Sequence, residues 1–142
     1  MCQVERSIKT MLRKFVTLGA VVLVALSSVS AQSCARSYTI QPGDYCNGIS
    51  ASQHVSSFQL SYSNPSLDCG SLRAGQSICL GLSGKDCQTT QVISSGQTCA
   101  SIISSAGISL QTLHANNPNV NADCSNIYPG EVLCTSSSVI GY

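Results

Sequence analysis

The sequence predicts an α+β fold of two tandem βααβ units, each a two-stranded antiparallel sheet packed on two short helices and stapled by disulfides. Three observations predict it. Cysteines are spaced by 12, 23 and 10 residues across Cys34, Cys46, Cys69 and Cys79, and by 12, 25 and 10 across Cys87, Cys99, Cys124 and Cys134. Other residues repeat in the same register: Ile40, Gly43, Ile49, Ser56, Leu60, Asn64 and Pro65 recur 53 places later as Ile93, Gly96, Ile102, Ser109, Leu113, Asn117 and Pro118. After a two-residue insertion, Asp68 and Gly75 match Asp123 and Gly130 at an offset of 55, so the chain is a duplication. Finally, each copy passes from an alternating stretch through two capped helical segments to a second alternating stretch.

The first strand is read at Ser37 to Gln41, where Tyr38 and Ile40 alternate with polar residues, and again near Thr90 to Ser94. Pro42-Gly43 and Ser95-Gly96 turn the chain. Asp44 is then placed to cap a first helix that carries Ile49 inward. Ser56 and Ser109 are the caps expected for the second helices, with Val55 and Ile108 stapling their starts and Leu60 and Leu113 buried. Asn64-Pro65 and Asn117-Pro118 end these helices, because proline disfavours α geometry in the residue before it. The last strands follow Gly75 and Gly130 and run through Ile78-Cys79 and Leu133-Cys134. This order sets the loop after strand one beside the loop after helix two, and loops on a rigid scaffold are the usual place for a binding site.

Residues 1–31 read as a secretory signal peptide: Arg6, Lys9, Arg13 and Lys14, then an uncharged run of 12 residues from Phe15 to Leu26, then Val29-Ser30-Ala31 at a cleavage site. A retained transmembrane helix is the weaker reading, since a span needs about 20 apolar residues. Initiation at Met11 would leave the same leader, and Cys2 is lost with it either way. The mature chain is then Gln32 to Tyr142, secreted and free of the membrane, with modules at 34–80 and 87–135, a linker at 81–86 and a tail at 136–142. The tail has no partner in the repeat and is expected to be loose. An even set of eight cysteines in an exported chain reads as a disulfide framework paired within each repeat, with three pairings open per module. Zinc is disfavoured because no C-x-x-C pair occurs.

Composition narrows the function. The mature chain keeps Arg36, Arg73 and Lys85 against Asp44, Asp68, Asp86, Asp123 and Glu131, a formal charge of −2. It offers no basic field for nucleic acid, and its neutral surface suits an uncharged polar ligand. Catalysis by paired carboxylates needs two of them facing across a cleft, whereas Asp68 and Asp123 belong to separate repeats. Neither G-x-S-x-G nor H-E-x-x-H occurs. His54 and His114 share no register and read as surface residues. The expectation is a protein without enzymatic activity, cofactor or metal.

The segments "YTIQPGDYC", "ISASQHVSSFQLSYSNP" and "LRAGQSICL" in copy one, and "ISLQTLHANNPNV" and "IYPGEVLCT" in copy two, resemble the LysM family. The placement of four cysteines per module is similar to the fungal LysM subtype, and a secreted chain of such modules resembles fungal LysM effectors. The resemblance implies binding of chitin and N-acetylglucosamine oligomers, which hides wall fragments from host receptors or shields the wall from chitinases. Carried over by position, the site of copy one would be Gly43, Asp44, Tyr45 and Cys46 opposite Asn64, Pro65, Ser66 and Leu67. In copy two it would be Gly96, Gln97, Thr98 and Cys99 opposite Asn117, Pro118, Asn119, Val120 and Asn121. Tyr45 stands where the family usually has Thr, Gln97 where it has Asp, and copy two lacks both the aromatic start of strand one and the proline before Gly96. Peptidoglycan is a further possible partner by the same resemblance. A cysteine-rich interaction protein, such as a toxin, inhibitor or coat protein without sugar binding, is the alternative class.

Overall fold

The computed structural model describes residues 32–142; the expected leader, with Cys2, lies outside the described residues. The first repeat contains β1 (Cys34–Thr39), α1 (Cys46–Ser52), α2 (Ser57–Ser63) and β2 (Ser77–Leu82); the second contains β3 (Thr90–Val92), α3 (Cys99–Ala106), α4 (Leu110–Asn116) and β4 (Val132–Cys134). Each repeat closes its own two-stranded antiparallel sheet, β1 on β2 and β3 on β4. In the first, Tyr38 lies opposite Ile78 and Ser37 opposite Cys79; in the second, Gln91 lies opposite Leu133. Strand β1 starts earlier than Ser37 because Cys34 bonds to Cys79 and Ser83 N donates to Ser33 O (2.8 Å), which holds this end of the strand against β2.

The turn after the first strand closes differently from the expectation. Gly43 and Gly96 take positive φ (89° and 78°), as the turn requires. Asp44 does not cap α1. Its Oδ2 accepts from Gln41 N (2.7 Å) and from the Tyr38 hydroxyl (2.9 Å), which fastens the turn to the strand before it. Tyr45 occupies the cap position with no side-chain cap bond. The short Asp44 side chain sits one residue too early to reach the helix N–H groups, and turn closure uses it instead. In the second repeat Gln97 Oε1 accepts from Ser94 N (2.8 Å), the same closure from a longer side chain, while Thr98 caps α3 in a reciprocal box with Ser101. Ser56 and Ser109 cap α2 and α4 as the sequence indicates, accepting from Gln59 N and Thr112 N.

Two separate cores result. Ile40, Ile49, Val55, Leu60, Ile78 and Leu80 fill the first; Ile93, Cys99, Ile102, Leu113, Val120 and Leu133 fill the second. Modules this small bury too little apolar surface to stand on it alone. Disulfides supply the rest: Cys34 to Cys79 and Cys46 to Cys69 in the first repeat, Cys87 to Cys134 and Cys99 to Cys124 in the second. Each joins first to fourth or second to third cysteine of its own repeat. Closing loops of 23 to 47 residues restricts the unfolded chain by about 3 to 4 kcal/mol per bond.

The segments read as linker and tail are both held down. Strand β2 runs to Leu82, and Asp86 is gripped by the Arg36 guanidinium, Nε to Oδ2 at 2.7 Å and the second nitrogen to Oδ1 at 2.8 Å. Gln59, fully buried, donates to Leu80 O and Asp86 Oδ1 and accepts from Cys87 N. A Cβ at Gly81 would fall 2.5 Å from both Asp86 and Gln59, so glycine is what lets this polar knot close. Contrary to the expectation, the tail is not loose. Asn116, also buried, donates to Ser136 O and Ser138 O and accepts from Ile140 N. The chain then crosses to the first repeat, where the Tyr142 ring packs edge-on against Phe58 (centroids 4.9 Å apart) and Tyr62 (5.4 Å). A repeat pattern could not reveal this contact because the tail has no copy to match.

Candidate functional site

Each module carries a shallow depression between the start of its first helix, the start of its second and the second-to-third disulfide. In the first module it has a volume of about 310 Å³ and is walled by Tyr45, Asn47, Ser50, Ser57 and Ser61 beside Cys46 and Cys69. No charged side chain lines it. Its counterpart in the second module, about 450 Å³, is lined by Gln97, Thr98, Ile103, Leu110 and Ile127 beside Cys99 and Cys124, with Asp123 at the edge. The positions are equivalent, but Ile103 and Leu110 stand in the second where the first has Ser50 and Ser57.

The two loops expected to face each other are tied together, since Cys46 and Cys69 bring their Cα atoms to 5.6 Å. Their residues divide between two hollows. Tyr45 and Cys46 face the larger depression, whereas Asn64, Pro65, Ser66 and Leu67 line a separate hollow of about 180 Å³ with Gln76, Ser77 and Ile78. Gly43 is exposed in its turn, and the Asp44 carboxylate is engaged with Tyr38 and Gln41.

Asn64 and Asn117 are braces. Asn64 Nδ2 donates to Leu60 O and Cys79 O while its Oδ1 accepts from Cys79 N; Asn117 repeats this with Leu113 O, Cys134 O and Cys134 N. These bonds fasten the end of the second helix to the last strand. They use both N–H donors of each amide. Val120 lies in the second core, while Leu67 packs in part against the first and lines the small hollow with the rest of its surface. Pro118, Asn119 and Asn121 are exposed, and Asn119 Nδ2 donates to Glu131 Oε1 (2.7 Å).

Sequence reasoning missed Asn47, Ser50, Ser57, Ser61 and Tyr128. The first four vary between copies, and Tyr128 reaches the first module's depression from the second. Only an inter-module contact reveals that position. Two buried oxygens here have no partner among the described residues: Ser50 Oγ and Glu131 Oε2. Burial pushes the Glu131 carboxyl above its ordinary range, outweighing the lowering bonds from Asn119 and the Tyr128 backbone. Asp68 and Asp123 go the other way, held low by the Ser71 hydroxyl and Gly70 N–H in one case and by Ser125 in the other.

Comparison with known proteins adds a family to this geometry. Residues 38–81 and 92–136 both match the family described as LysM domain. The chain is 36% identical over 126 residues to the non-secreted LysM effector LCP1 of Gibberella moniliformis, an alignment covering 84% of this chain and 16% of that protein. It is 27% identical over 129 residues to the secreted LysM effector LysM1 of Trichophyton rubrum, covering 73% and 51%, and 28% identical over 134 residues to the secreted LysM effector LysM2 of Penicillium expansum, covering 86% and 39%. The chain thus spans between 16% and 51% of the length of these relatives. Among solved structures, the spore cortex-lytic enzyme SleL of Bacillus megaterium aligns at 19% identity with a TM-score of 0.36, over 69% of this chain and 21% of that one.

Proposed function

Because the chain belongs to the LysM domain family, with modules at residues 38–81 and 92–136, we propose that it is a secreted, non-enzymatic lectin for chitin and N-acetylglucosamine oligomers. The single observation that carries this reading is the uncharged depression beside Cys46 and Cys69, bordered by the exposed Tyr45 ring and by Asn47, Ser57 and Ser61. An N-acetylglucosamine unit is also uncharged. It brings an amide, several hydroxyls, a methyl group and a weakly apolar ring face, and each finds a matching group there. Neutral hydrogen bonds contribute about 0.5 to 1.5 kcal/mol each, so one such site binds weakly. Two sites on one chain engaging one polymer raise avidity by about 10² to 10⁴ where the span permits.

The carboxylates support binding over hydrolysis. A general acid needs a raised pKa facing a second carboxylate, whereas Asp68 and Asp123 are lowered and satisfied by their own turns, and Glu131, which is raised, has no second carboxylate in the hollow it lines. Two of the relatives above are named secreted and one non-secreted, and the leader-like residues 1–31 favour export. In the proposed role the protein sequesters wall fragments from host receptors or covers the wall against chitinases.

Calorimetric titration of the full, disulfide-bonded protein with N-acetylglucosamine oligomers of increasing length tests the reading, with soluble peptidoglycan fragments in a parallel series. Heat with the chitin series that saturates near one long oligomer per chain supports it. No heat with that series, together with no retention on insoluble chitin, overturns it.

A further inference from the structure

We propose that the seam between the two modules is a composite saccharide groove, in which Tyr128 of the second module walls the first module's depression and a neighbouring N-acetylglucosamine unit lies against Asn119 and Asn126. The inference rests on the lectin reading and names where, within the two-module chain, successive sugars sit. A second depression of about 280 Å³ adjoins the first and is lined by Ser57, Phe58, Ser61, Asn119, Asn126, Tyr128 and Glu131. Ser57, Ser61 and Tyr128 belong to both depressions. The hollows are therefore consecutive along one seam.

Tyr45 and Tyr128 are 65% and 48% exposed, and both border the groove. The Tyr45 ring lies on α1 at Gly48, where a Cβ would come within 2.9 Å of two ring carbons. A hydrogen-bonded chain crosses the seam beneath Tyr128: Val132 N donates to Ser57 Oγ (3.0 Å), Ser57 Oγ to Asn47 Oδ1 (3.0 Å), and Asn47 Nδ2 approaches the Tyr128 hydroxyl to 3.5 Å. An aromatic face with a polar tip suits a sugar.

The composite wall has no equivalent in the repeat. Where the first module has Tyr45 with Gly48, the second has Thr98 with Ser101, which cap α3. Asn47, Ser57 and Ser61 correspond to Ala100, Leu110 and His114, and Tyr128 to Arg73. Every one of these groove positions departs from its copy, while the disulfides and Asn braces do not.

The experiment titrates the full, disulfide-bonded protein and its Tyr128→Phe, Tyr128→Ala, Ser61→Tyr and Arg73→Ala variants with N-acetylglucosamine oligomers from dimer to hexamer, with thermal melts of each. Tyr128→Phe keeps the ring and should bind within about threefold of the parent, whereas Tyr128→Ala should weaken binding about three- to tenfold. Ser61 is exposed where the hollows meet, so Ser61→Tyr should block the longer oligomers while melting like the parent. Arg73→Ala should change neither. Unchanged affinity in both Tyr128→Ala and Ser61→Tyr, with the parent still binding, overturns the seam and leaves the lectin reading standing. Absence of binding by the parent removes both.

Discussion

Gln59 of the first module accepts a hydrogen bond from the hydroxyl of Tyr142, 2.9 Å away, although 83 residues separate them. The same Oε1 accepts from Cys87 N at 2.8 Å, and Nε2 serves Leu80 O and Asp86 Oδ1. One buried amide thus ties together the end of the first sheet, the segment entering the second module and the C-terminal tyrosine. Burial raises the Tyr142 pKa to about 12, so the hydroxyl keeps its proton and stays a donor through the alkaline range.

Replacing Gln59 by Leu keeps the volume and removes every one of these bonds. It strands Cys87 N–H and Leu80 C=O inside the protein and leaves Asp86 with one donor fewer. Stranded buried groups cost about 1 to 3 kcal/mol each, so the variant should lose several degrees of melting temperature. Tyr142→Ala removes only the clasp and its edge-on contacts with Phe58 and Tyr62, and should cost less. Equal losses in thermal melts would mean the tail, not the linker knot, is the dominant tie.

Asn64→Ala and Asn117→Ala should destabilise their modules by about 2 to 3 kcal/mol each, because each opens a buried set of three backbone bonds. Their sugar affinity, measured below the melt, should follow the folded fraction. A drop in affinity with an unchanged melt would instead make these amides ligand groups.

The two disulfides of the first module should separate by function. Replacing Cys34 and Cys79 with Ser releases a 45-residue closure at the sheet, whereas replacing Cys46 and Cys69 releases a 23-residue closure that also floors the proposed depression. Both should lower stability by about 3 to 4 kcal/mol. Only the second should weaken oligomer binding in material that remains folded at low temperature.

What the sequence disclosed and what it withheld follow from the same duplication. Residues fixed by a local rule appear twice and were legible: the serine caps Ser56 and Ser109, the turn glycines, the core positions Leu60 and Leu113, the intramodule cysteine set. The role of Asp44 was misjudged because a carboxylate just ahead of a helix can serve either cap or turn, and only the backbone path decides. Contacts between unlike parts of the chain leave no periodic trace. Gln59 with Tyr142, Arg36 with Asp86 and Tyr128 beside Asn47 all belong to that class, and they decide how the seam is built.

The seam also sets the response to acid, through two carboxyls of opposite sense. Asp86 is held below its ordinary range first by Arg36 and then by Gln59 and Gln88, against its own desolvation. A depressed folded-state pKa contributes stability that is present above the unfolded value, about 4, and lost as pH falls through the lower folded one. Glu131 is raised by desolvation, so it costs nothing while protonated in both states and costs progressively more as pH rises from about 4 through its folded value. Its repeat counterpart is Gln76, which carries no such charge. Melting temperatures of the parent and of Glu131→Gln, followed from pH 3.5 to 7.5, should therefore run closest, or favour the parent, at the acid end and shift toward the variant near neutrality. Asp86→Asn should show the reverse, losing most against the parent near neutrality and least in acid. Parallel curves for Glu131→Gln and parent would mean that the buried carboxylate already has a partner at neutral pH, and that the seam is not charged against itself.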